Sequence, residues 1–476
     1  MSGTSFFWHD YETFGRDPRR DRPAQFAGIR TDEALNDIGE PVMHYCQPTP
    51  DYLPDPEACL LTGILPQTCL ERGLPEHRFA EAVLAALGQS GTIGVGYNSI
   101  RFDDEVTRHL LWRSLLDPYG REWRNGCSRW DLLDVVRCTA ALRPDGIEWP
   151  RHEDGRLSFK LEHLSVANGL VHDQAHDALS DVRATIALAR LIRERQPRLW
   201  DFCLALRQKQ AVLKQIGEAR PFIHISGMYG TERGGLAIVW PLAWHPTNKN
   251  ELLVWDLAAD PSELADLDVP TIRQRLFSKR EALPEGITRL PIKSLHINKS
   301  PIVIGNLKTL TPDVIDRWHI DMAAIEHHAA AAHRISPMLH GKWPEVHARK
   351  PAEQTEIDVE ADLYGGFVGD ADRRLLDAWR ASLPDAPKPI PAYEDPRLEA
   401  LSFRYMARHF HDMLNAEERQ RWQEHCHARL HQGAGGALTL AAYANRIDAL
   451  SEALPLDDQR GQSLLEALYD YGEHIA

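Results

Sequence analysis

The opening of the chain sets short apolar runs against longer stretches of helical period. SFFWHDYET (5–13) reads as an aromatic-rich strand, and FAGIRTD (26–32) and PVMHYCQP (41–48) read as two more. The spacing then predicts a helix over FAEAVLAALGQ (79–89), a strand over TIGVGYN (92–98) and a helix over FDDEVTRHLLWRSL (102–115). WDLLDVVRCTAAL (130–142) is a further helical stretch, and HDALSDVRATIALARLIRER (176–195) closes the region as a long amphipathic helix. Three successive strands followed by alternation predict an α/β fold, a mixed sheet flanked by helices.

The pattern changes after Gln196-Pro197. Four β-like runs follow: PFIHISGMYG (221–230), GLAIVWPLAWH (235–245), NELLVWDL (250–257) and RLPIKSLHINKSPIVIG (289–305). They predict a small β domain, a barrel with a helical insert over 259–277. From Pro312 onward the text is nearly all helical, with Pro-rich breaks over 384–396. The expected boundaries are 1–192, 197–347 and 350–476.

The chain has 476 residues, 43% hydrophobic and 26% charged, which is ordinary for a globular protein of several domains. It has no apolar run approaching the roughly 18 residues of a membrane span, and the N-terminus does not read as a signal peptide. Its 7 cysteines are scattered without zinc spacing, as expected of reduced thiols in a cytoplasm. The net charge of −15 weighs against a nucleic-acid binder, whose footprint is usually basic, unless the acids are gathered at a metal centre.

Three acidic elements bear on that question. Asp10 and Glu12 are two apart on the first strand, so their carboxylates share a face, although an isolated D-x-E is more often a solvated pair. Asp103, Asp104 and Glu105 open a helix just past a sheet strand. Acids there favour the helix dipole, and α/β ligand sites form at the same place. His176 and Asp181 bracket the start of the long helix. They are about 140° apart around it, and converge only if His176 lies in the preceding loop or first turn.

In order, D-x-E, Tyr-Asn-x-x-x-Phe-Asp (97–103) and His-x-x-x-x-Asp (176–181) resemble the three motifs of the DEDDh exonuclease superfamily. The resemblance implies a ribonuclease H-like domain in which Asp10, Glu12, Asp103 and Asp181 are the catalytic acids and His176 the general base. Asp103 is preferred to Asp104 because it directly follows the motif's Phe. Asp10, Glu12 and Asp181 would hold two Mg²⁺ ions, with Mn²⁺ substituting. Hard oxygen ligands suit magnesium, and a two-metal site both activates water and neutralises the leaving oxygen.

Beyond these motifs, HDYETFG, GYNSIRFDDEVTRHL, SRWDLLDV, ALRPDGIEWP, HISGMYG, HINKSP, LYGGF (363–367) and FRYMARHF (403–410) are similar to the bacterial exodeoxyribonuclease I family. That family implies an exonuclease domain, an SH3-like β-barrel and an all-helical C-terminal domain. It implies 3′→5′ degradation of single-stranded DNA to 5′-mononucleotides in DNA repair and recombination. It also implies a monomer that engages the acidic C-terminal tail of single-strand-binding protein.

Arginines interleaved with aromatics over 108–143 suit such a substrate, with guanidinium groups for phosphates and rings for unstacked bases. By the resemblance, Glu12, Arg108, Tyr119, Trp123, Arg137, Arg143, Phe159, Asn250, Lys293 and His296 contact the DNA. Lys160 joins them where the family leads one to expect Arg, so it keeps the charge and loses the bidentate fork. The competing readings are an RNA-directed member of the superfamily, a polymerase proofreading subunit, and a single-strand-binding module without activity.

Overall fold

The aromatic run Phe6-Phe7-Trp8 begins a strand because rings pack well on a pleated surface, and β1 (Ser5–Thr13) is buried along nearly its whole length. Its neighbours are β2 (Pro23–Thr31), antiparallel, and β4 (Thr92–Gly96), parallel, while β3 (Val42–Tyr45) pairs antiparallel with β2. The order β3-β2-β1-β4 makes β1 central. β5 (Ser128–Asp131) takes Trp130 and Asp131 from the stretch read as purely helical, and the helix begins at Leu132. The reason is local: the Asp131 side chain accepts the Leu133 amide as an N-cap.

The protein is described here by a computed structural model covering residues 3–170, 177–348, 357–383, 389–455 and 457–475. Two compact units emerge, one of Met1–Ser128, His172–Arg183 and Thr355–Ala476, the other of Arg129–Val171 and Ala184–Gln354.

In the first unit the C-terminal helices share cores with the α/β elements. Phe14 and Tyr52 pack with Leu430, Tyr443 and Leu468, and Trp112 and Leu115 pack with Leu376, Trp379 and Leu398. A buried charge network accompanies this packing. Arg22 donates to Glu76 at 3.3 Å and to Glu360 at 2.8 Å, and Arg408 pairs with both Asp51 and Glu360.

The second unit contains an antiparallel sheet in the order β10-β6-β7-β8-β9. Its strands are β6 (Phe222–Ile225), β7 (Leu236–Trp244), β8 (Glu251–Asp256), β9 (Ile292–His296) and β10 (Ile302–Ile304). The run expected over 289–305 is therefore two strands, not one. It breaks at Ser300, whose φ of 47° is left-handed and interrupts an extended ladder. The expected helical insert contains Val269–Phe277, capped by Asp268.

Candidate metal centre and nucleic-acid interface

β4 pairs with β1 only as far as Trp8↔Val95, so β1 overhangs its parallel neighbour from His9 onward. Asp10 and Glu12 lie on this overhang. Period-2 alternation puts both on one face, while Tyr11 turns the other way to pack on Phe26 at 4.8 Å between centroids.

Past β4 the chain turns sharply. A Cβ on Gly96 would stand 2.9 Å from the His9 carbonyl oxygen and 2.7 Å from Ser99 Cβ, so glycine is required there. Asn98 adopts φ 66°, and the helix Asp103–Arg113 follows. That helix returns Asp103 to the overhang, where Asp103 Oδ1 accepts the Tyr11 amide at 3.1 Å. Thr107 Oγ1 donates to the Asp103 carbonyl at 2.8 Å and lies 3.0 Å from the Tyr11 hydroxyl, which closes the bracket.

Asp104 points elsewhere. It forms a 2.6 Å ion pair with Arg121, both side chains 1% exposed. Geometry puts Asp103, the acid that the motif selects, beside the strand acids and gives Asp104 an internal partner.

The third element is the helix Ala178–Arg195. Asp177 accepts the Ser180 amide at its start, and the Ala178 amide donates to Gln25 Oε1 at 3.3 Å. Gln25 is the register partner of Glu12 across β1 and β2, so one side chain ties the helix start to the strand that carries the acids. Asp181, on the first turn of this helix, has a ligand oxygen that lies with those of Asp10 and Glu12 within 4.8 Å of one another. His176 lies outside the described residues.

Such crowding shows in the titration of the group. Burial first, and then Asp103, Glu12 and Asp181, push the Asp10 carboxyl well above its usual range. Burial, Asp181 and Asp177 raise Glu12 to about 7. Carboxylates packed this closely resist simultaneous ionisation, and a divalent cation removes the conflict. An all-oxygen donor set fits a hard ion such as Mg²⁺.

The expected DNA contacts differ in what they offer. In the first unit, Trp123 is 64% exposed with the Arg124 guanidinium 5.2 Å above its ring, and Tyr119 is half-buried. Arg108 is buried and committed internally, to Glu122 at 2.7 Å and Glu105 at 2.9 Å, with its guanidinium 5.4 Å from the Tyr119 ring.

In the second unit, Arg137 pairs with Asp134 at 2.6 Å and Arg143 donates to the Leu142 carbonyl. Phe159 is half-buried, and the exposed Lys160 reaches Glu162 at 3.3 Å. Asn250 accepts from Lys209 at 2.7 Å. Lys293 and His296 lie on β9 opposite Val254 and Glu251, and burial lowers the His296 pKa. Gln25 and Asp177 carry no sequence signal of their own beyond the latter's place next to His176.

Three family models match the chain: an exonuclease over residues 7–189, an exonuclease I SH3-like domain over 207–349, and an exonuclease I C-terminal domain over 357–475. Exodeoxyribonuclease I of Escherichia coli K12 is 42% identical over 478 residues, covering 99% of this chain and 98% of that protein. The structure of a moderately thermophilic exonuclease I from Methylocaldum szegediense is similar with a TM-score of 0.93 and 46% identity, over 99% of both chains. The zinc-bound form of an E. coli exonuclease I complex with single-stranded DNA aligns with a TM-score of 0.92 and 41% identity over all of both chains. The acidic cluster lies in the exonuclease segment, and the likeness runs from end to end: the chain belongs to the exodeoxyribonuclease I family.

Proposed function

We propose that this enzyme shortens single-stranded DNA from its 3′ end, hydrolysing one phosphodiester at a time and releasing 5′-mononucleotides. The observation that carries the reading is the convergence of Asp10, Glu12 and Asp181, with Asp103 alongside, at the overhanging end of β1. Asp10, Glu12 and Asp181 would hold Mg²⁺, as two ions, with Mn²⁺ able to substitute. When bound, the metal lowers the pKa of water and offsets charge on the departing 3′-oxygen.

The chain's own groups do the rest. His176, directly before Asp177, accepts the proton of the attacking water, a role suited to a group titrating near neutrality. Asp103 keeps β1 in position through the Tyr11 amide, and its charge adds to the field that retains the cation. Trp123 and Tyr119 offer faces to unstacked bases, and the exposed Lys160 offers its ammonium group to a phosphate.

The resemblance supports three further parts of the proposal: a role in DNA repair and recombination, contact with the acidic tail of single-strand-binding protein, and a monomer acting in the cytoplasm. A 5′-labelled oligonucleotide incubated with and without Mg²⁺, beside its RNA counterpart, tests the core of it. A metal-dependent ladder shrinking from the 3′ end on DNA is the expected result, with His176→Ala binding DNA but leaving it intact. Equal shortening of RNA, or wild-type turnover by His176→Ala, would count against it.

A further inference from the structure

The loop after Asp362 holds an aromatic ring in water and leaves it little freedom to hide. Leu363 is buried in the core with Trp112, Leu376 and Leu398. The Tyr364 hydroxyl donates to Glu105 and accepts from Arg108 at 2.9 Å. Arg397 takes the carbonyls of Asp362 and Gly366, the latter at 2.9 Å. The residue that follows, Phe367, is 86% exposed, its ring 5.9 Å from that of Tyr119 and tilted by 56°. A ring of this size gains from any apolar cover, and the anchored loop denies it cover from its own chain.

Tyr119, Arg124, Phe367 and Arg373 line one groove with Asp117 and Asp377. Asp117 faces both guanidiniums, at 2.8 Å from Arg124 and 3.9 Å from Arg373, and with Asp377 the groove's carboxylates balance its two arginines. Arg124 also covers the exposed ring of Trp123. Aromatic faces interleaved with guanidinium groups match unstacked bases on a phosphate backbone. A purely apolar partner would strand the groove's guanidinium groups, and a duplex keeps its base faces stacked on one another.

We infer that Phe367 is a base-stacking residue for the single strand, joined with Tyr119 on a surface whose phosphates meet Arg124 and Arg373. This rests on the function proposed above, and it gives the C-terminal segment a direct part in gripping substrate. Arg108 then serves as a positioning residue: neutralised by Glu105 and Glu122, it holds Tyr364 and so the loop.

Fluorescence anisotropy with a labelled oligothymidylate, in EDTA so that no strand is cut, tests it on the full chain. Phe367→Ala and Phe367→Leu are expected to weaken binding on the order of 5- to 150-fold, while Phe367→Trp retains it, with melting temperatures unchanged. Wild-type affinity in Phe367→Ala, or equal losses in the Leu and Trp variants, would overturn the inference. The two readings fail separately. A wild-type enzyme that leaves the oligonucleotide intact in Mg²⁺ refutes the broader function, whereas one that cuts it while Phe367→Ala binds normally refutes only the stacking role.

Discussion

The Tyr11 amide donates to Asp103 Oδ1 at 3.1 Å, so the strand that carries two of the acids is fastened by the third. Asp104, one residue on, is spent on Arg121. The two positions therefore respond differently to the same substitution. Asp103→Asn keeps an oxygen for the Tyr11 amide and removes the charge. Its expected effect is a fall in kcat of about 10- to 100-fold or more, with little change in melting temperature. Asp104→Asn leaves the Arg121 guanidinium buried without its ion pair and should cost about 3–5 kcal/mol of stability. Parallel measurement of melting and turnover separates them, and identical profiles would contradict the assignment.

Removal of metal should reveal the raised carboxyl of Glu12. Its pKa in the folded, metal-free protein is raised from 4.5 to about 7, so folding takes up a proton there. The stability this proton contributes is complete below 4.5 and lost as pH rises through about 7. Metal competes with the same proton, so the rise in melting temperature on adding Mg²⁺ should grow across that window. Glu12→Gln should flatten both trends. Melting curves in EDTA and in Mg²⁺ over a pH series provide the check, and a Mg²⁺ effect independent of pH would refute it.

The site was legible in the sequence wherever its logic is local. Asp10 and Glu12 share a face because strand period is 2, and that can be read from two letters. Choosing Asp103 over Asp104 needed the motif, because both residues open the same helix and only the distant Arg121 distinguishes them. The Gln25 link to Ala178 spans 153 positions and has no local signature. The packing of Phe14 on Tyr443 was likewise invisible, since amphipathic helices announce a buried face without naming what covers it. LYGGF is legible in the sequence as a family likeness, which does not say which of its side chains are buried. Leu363 does go inward, but Phe367 goes outward, a division set by the anchors of Tyr364 and Arg397 and not by composition.

The ion network between the C-terminal helices and the α/β elements gives a prediction of opposite pH sign. Burial alone would raise the Asp51 carboxyl, yet Arg408, His425 and Arg429 hold it well below its usual range. A depressed carboxyl contributes stability above its unfolded pKa and loses it as pH falls toward the folded value. The wild type should therefore lose melting temperature on acidification below the ordinary carboxylate range, and Asp51→Asn should start lower and lose less. Arg408→Ala, which removes the buried cation that Asp51 and Glu360 share, is expected to cost about 3–5 kcal/mol in denaturant unfolding. A cost near zero would mean that solvent reaches the network.

Trp123 tests whether exposed aromatics on the first unit act on substrate or are merely tolerated. Its ring is 64% exposed and is covered on one side by Arg124 at 5.2 Å, so removing it opens no cavity and strands no buried group. Trp123→Ala should therefore leave the melting temperature unchanged within error. If bases stack on the ring, affinity for a single-stranded oligonucleotide falls by about 1–3 kcal/mol, and Trp123→Phe recovers part of the loss. Salt dependence discriminates further. A stacking loss leaves the slope of log affinity against log salt unaltered, because no phosphate contact has been removed, whereas Arg124→Ala should make that slope shallower by about 1. Equal slopes for both variants would mean that Arg124 serves Trp123 and Asp117 alone.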